Sequence, residues 1–104
     1  MKIIQTLTDL IDEEIHDGKK YVKLALEYKD KDMALAEMFY NLSLEEMKHM
    51  NTLHNAVVKT INAIKEEKKD NPKLEGMQVI YDLLHERFIN HAKEVQILQG
   101  MYRE

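Results

Sequence analysis

Residues 42 to 56, Leu-Ser-Leu-Glu-Glu-Met-Lys-His-Met-Asn-Thr-Leu-His-Asn-Ala, decide how the rest of the chain is read. Leu42, Leu53 and Ala56 recur at helical spacing, and Glu46 and His49 fall between them on the same stripe. Three residues apart on a helix, the two side chains point the same way, and a carboxylate oxygen and an imidazole nitrogen can grip one ion. A partly buried carboxylate costs several kcal/mol unless a proton, a partner or a metal neutralises it. Glu46-x-x-His49 therefore asks for a counterion.

Outward from this stretch, the punctuation of the chain points to long helices. Among 104 residues there are 3 Gly and 1 Pro, with 44% hydrophobic and 33% charged side chains. That composition fits an all-α domain with no strand. Ile4, Leu7, Ile11, Gly18, Tyr21, Ala25 and Tyr28 follow steps of three and four, with Glu14 in the one open slot, which predicts a helix over about residues 3–29. Lys29-Asp30-Lys31-Asp32 breaks it, and either aspartate can cap a second helix running from about Asp32 to about Lys68. The apolar arc of that helix is wide, so it needs more than one packing partner. Asp70-Asn71-Pro72 ends the run. Met77, Ile80, Leu84, Phe88, Val95, Leu98 and Tyr102 predict a third helix over about 74–102. Short connections make successive helices antiparallel, so residues 1–104 are expected to form a single three-helix up-down-up bundle.

The chain has no cysteine, which leaves His, Asp and Glu as ligands, a hard set suited to iron or manganese. A formal charge of −4 with interspersed signs carries no nucleic-acid footprint; the Lys65 to Lys69 cluster is broken by Glu66 and Glu67. Asp9 and Asp12 follow the N-terminal residues before any apolar block forms. The expectation is a cytoplasmic, soluble protein without nucleic-acid or membrane partners. The seven methionines are spread over all three helices and read as core filler.

Glu14 with Glu46 and His49 amounts to half of a carboxylate-bridged two-metal site, in which each half contributes one Glu and one Glu-x-x-His. Residues 11 to 56 resemble the first helical hairpin of the ferritin-like superfamily, rubrerythrins above all. Those carry a Glu followed seven residues on by a Tyr, here Glu14 and Tyr21, and a Phe seven residues ahead of the Glu-x-x-His glutamate, here Phe39. A rubrerythrin repeats this hairpin. Here one further helix follows, without Glu-x-x-His and without a cysteine-rich electron-delivering segment.

The resemblance implies a di-iron, or di-manganese, protein that oxidises Fe(II) or scavenges an oxidant. Two completions of the site are open. Two subunits can meet about a twofold axis and each give Glu14, Glu46 and His49, as in the small encapsulated ferritins, or the third helix can supply His85, Glu86 and His91. The wide arc of the second helix favours the first, a homodimer or higher homo-oligomer with the first two helices at its interface. Tyr21 would then bond a bridging carboxylate or gate oxidant access. The alternative is a helical scaffold that keeps the fold and performs no metal chemistry.

Overall fold

The computed structural model describes residues 2–67 and 72–104 and is helical throughout: α1 Lys2–Tyr28, α2 Met33–Glu67 and α3 Pro72–Arg103. No strand occurs among the described residues. The expected end of α2 at Lys68, the break at Asp70-Asn71 and the side chain of Met77 lie outside them. No described helix is long and apolar enough to cross a membrane.

Local chemistry accounts for the ends. Thr6 stands inside α1, its hydroxyl donating to the Lys2 carbonyl a turn earlier at 2.9 Å, so the helix is already formed ahead of it. At the first turn, Tyr28 O accepts from the amides of Lys31 and Asp32 at 3.0 and 2.9 Å. Asp32 then caps α2, its carboxylate accepting from the Leu35 amide at 3.1 Å.

Packing makes a helical bundle about 58 Å long and 17 Å across, in which α1 packs most extensively on α2 and less on α3. Its core is a column of Ile11, Ile15, Val22, Met47, Val57, Ile61, Tyr81, Phe88, Ala92 and Val95. Of the stripe read on α1, Ile11, Gly18 and Ala25 are buried, and the centre of the buried face is turned toward Ile15 and Val22. The buried face is Thr8, Ile11, Ile15, Gly18, Val22 and Ala25, and the row holding Glu14 and Tyr21 runs along its rim. On α2 the buried row is Ala36, Tyr40, Ser43, Met47, Val57 and Ile61, with Leu42, Glu46 and Leu53 half-buried beside it. The β-branched side chains fill the helix contact, and the two carboxylates lie at its edge. On α3, Ile80 was expected inside and is 61% exposed.

One buried polar node joins all three helices. Ser43 Oγ donates to the Gly18 carbonyl at 2.7 Å and accepts from Gln99 Nε2 at 3.0 Å. Aromatic contacts extend the same pairing: Tyr21 stacks on Phe39 with centroids 6.4 Å apart, and Tyr40 on Tyr102 at 4.5 Å.

Candidate metal centre

Gly18 fixes how closely α1 and α2 approach at the site. A Cβ there would stand 3.1 Å from Met47 Sδ and 3.7 Å from Glu46 Cβ, so only glycine lets the backbones come this near without displacing Met47. One turn before Gly18, Glu14 meets Glu46 and His49 across the contact. A ligand atom from each lies within 4.8 Å of the others. His49 Nδ1 is 3.4 Å from Glu14 Oε2 and 3.8 Å from Glu46 Oε2.

The two carboxylates are mostly buried, their side chains 22% and 17% exposed, whereas the His49 ring is 59% exposed. Glu14 Oε2 is buried and has no hydrogen-bond partner. Glu46 is pushed up to about 7, first by a hydrogen bond shared with Glu14, then by desolvation and by the charges of Glu14 and Asp17, against the opposing pull of His49. Two carboxylates this close resist ionising together, which raises the hold of Glu46 on its proton toward neutrality. The donor set of an orphaned buried oxygen, a second carboxylate and an imidazole fits a divalent hard ion such as Fe(II) or Mn(II).

Around this group runs a half-buried surface. Leu7, Tyr21 and Leu24 on α1, and Phe39, Leu42 and Leu53 on α2, continue the rows on which Glu14, Glu46 and His49 lie. Tyr21 sits two turns from Glu14 with its ring against Phe39, which also touches Tyr28 at 6.2 Å between centroids.

The three candidates on α3 go elsewhere. His85 stacks on His54 with centroids 4.6 Å apart and on Tyr81 at 5.6 Å. His91 lines a groove between α1 and α3 with Asp12, His16, Arg87 and Glu94, and Glu86 is exposed. Among the described residues, none of them joins the Glu14 group.

One cluster escapes sequence reading. The Tyr81 hydroxyl lies 3.0 Å from His54 Nδ1, and both rings stack with His85 beside a cavity of about 180 Å³ lined by Ile11, Met50, Phe88 and Ala92. Burial and the neighbouring His85 charge push the His54 pKa down. The signal present in the sequence is Tyr81-x-x-x-His85, an i,i+4 pair on one face of α3. Its partner on α2 follows only from the register of the helices.

Compared with protein-family models, curated proteins and solved structures, the chain gives no significant match.

Proposed function

We propose that the protein is a ferritin-like metal-binding protein whose carboxylate site is completed between two copies of the chain. The observation that carries this reading is the juxtaposition of Glu14 Oε2, buried and unpartnered, with Glu46 and His49 on a half-buried surface. The three helices suit an up-down-up bundle. Gly18 pairs with Ser43 and Tyr21 with Phe39, so α2 numbers fall as α1 numbers rise; Tyr40 with Tyr102 and His54 with Tyr81 give the same opposition between α2 and α3.

About a twofold axis beside His49, two copies would bring four carboxylates and two imidazoles together. Four negative charges are balanced by two divalent ions, which matches a di-iron or di-manganese centre. Glu14, Glu46 and His49 of each copy would hold the ions. When bound, a pair of Fe(II) ions would give one electron each to oxygen or peroxide, becoming Fe(III) as oxygen is reduced to peroxide or peroxide to water. The chain's own part is to keep Glu46 ready to exchange a proton for a cation near neutral pH, and to exclude water with the apolar rows on either side. Fe(II) itself is then the substrate, and a ferroxidase-type activity follows.

A second reading has its own support: a single proton held on Glu46 already relieves the repulsion between the two carboxylates, so a helical scaffold can hold this geometry without metal. Thermal melts separate the two. Wild type and Glu46→Ala are melted with chelator and with excess Mn(II) or Fe(II) under anaerobic conditions. The metal reading expects a metal-dependent rise in melting temperature for wild type alone, with apo Glu46→Ala no less stable than apo wild type. Equal melts of wild type with and without metal would leave the scaffold.

A further inference from the structure

The outer face of α3 is apolar, and none of the described residues covers it. Val79, Leu83, Ile97 and Met101 are 59%, 66%, 64% and 49% exposed, and at 100° per residue they share one stripe with Asn90 at its centre. That stripe points away from the buried residues Tyr81, Phe88, Ala92, Val95 and Gln99. A helix apolar on two opposite sides is built to be covered twice.

The stripe is also symmetric about Asn90. Leu83 and Ile97 lie seven residues to either side of it, and Val79 and Met101 eleven. Closer in, Glu86 and Lys93 flank one edge of the stripe and Arg87 and Glu94 the other. We propose that this face pairs with the same face of a second copy, antiparallel, about a twofold axis through Asn90. The axis places Leu83 on the partner's Ile97 and Val79 on the partner's Met101. A twofold perpendicular to both helices brings like edge to like edge. Arg87 therefore meets the partner's Glu94, and Glu86 meets the partner's Lys93, each one residue out of exact opposition.

Every charge flanking the stripe thus finds its opposite. A parallel pairing would match the same four charges, Arg87 against the partner's Glu86 and Glu94 against the partner's Lys93, but only the antiparallel one brings together the two edges that already bond α1. Arg87 already bonds Asp12 at 3.1 Å and Glu94 bonds Lys19 at 3.2 Å, both on the surface. Pairing extends these into a row of alternating sign: Asp12, Arg87, the partner's Glu94, the partner's Lys19. Asn90 on the axis can give its amide to the partner's Asn90 and accept in return, which fixes register as a lone polar residue does in a coiled-coil seam.

This interface does not rest on the metal reading. Glu14 lies two residues from Asp12, on nearly the opposite side of α1 from the edge facing α3, so both surfaces can be used at once. Two distinct twofold contacts give an even-numbered assembly larger than a dimer.

The absence of cysteine makes a clean test possible in the full chain. Helices packed about 8–10 Å apart put facing Cα atoms within disulfide range. Asn90→Cys is expected to cross-link to a homodimer under mild oxidation, while Gln96→Cys, equally exposed but off the stripe, does not. Leu83→Cys alone should fail, because its two copies stand about 21 Å apart along the pair. Mixed with Ile97→Cys it should give the mixed disulfide. Ile97→Glu, at an exposed site, should halve the mass of the assembly with helicity unchanged. Cross-linking of Asn90→Cys no faster than of Gln96→Cys overturns the self-pairing and leaves the face bare or covered by another protein. Leu83→Cys cross-linking to itself overturns the antiparallel register.

Discussion

Glu46 is the residue on which protonation, metal and stability meet. Its folded pKa of about 7 lies above the ordinary 4.5, so the folded chain holds this proton more tightly than the unfolded chain does. The sign follows: the stability it contributes is fully present below about 4.5 and is lost as pH rises through about 7. In chelator, the melting temperature of wild type relative to Glu46→Gln should therefore fall across that window, by on the order of 5 °C. The amide keeps a hydrogen bond to Glu14 and cannot ionise. Melts of the two proteins from acid to mildly alkaline pH read the difference directly, and a constant offset between them would show that Glu46 does not hold the proton. Added Mn(II) should reverse the trend, since a cation competes with the proton and binds better as pH rises.

At the level of elements, the close approach of α1 and α2 depends on a few atoms. Ser43→Ala removes the acceptor of Gln99 Nε2 in a buried place, and should cost about 1–3 kcal/mol in urea unfolding. Gly18→Val places methyl groups where Met47 and the Glu46 stem already stand; it should cost about 1–3 kcal/mol by overpacking and weaken Mn(II) binding, as measured by calorimetry, because the carboxylates are spread apart. Helix number and type were legible from spacing alone, and both ends of α1 and the start of α2 lie within a residue or so of where the pattern placed them. The buried face was legible in part: Ile11, Gly18 and Ala25 of the stripe read on α1 are buried, and its other members lie at the rim. On α1 the rows Ile11-Ile15-Val22 and Leu7-Glu14-Tyr21 lie side by side and both are largely apolar, so periodicity cannot say which meets the other helices. Ile80 was misplaced for the same reason: α3 is apolar inside and out, and only its register against α2 tells Tyr81 from Ile80. Glu14, Glu46 and His49 could be grouped from sequence because the first turn is short and sets which residues face one another. The pairing of His54 with Tyr81 and His85 depends on how α3 is rotated against α2, which no spacing encodes.

In the whole molecule, the question is whether one chain or two makes the centre. A single chain offers two carboxylates and one imidazole, with the imidazole turned outward, 59% exposed. Those ligands leave any one ion short of the six oxygen and nitrogen atoms a hard divalent ion takes. A shared centre makes a prediction about mixtures that a private one does not. Let wild type be refolded together with an equal amount of Glu14→Ala/Glu46→Ala chain, so that subunits pair at random. If each centre needs both halves, only wild-type pairs hold two ions, and bound Mn(II) should fall to about a quarter of the wild-type value. If each chain binds on its own, half should remain. The full titration is sharper than the single point: bound metal falls as the square of the wild-type fraction in the first case and linearly in the second. Elemental analysis after gel filtration supplies the count, and a straight line would assign the centre to the single chain.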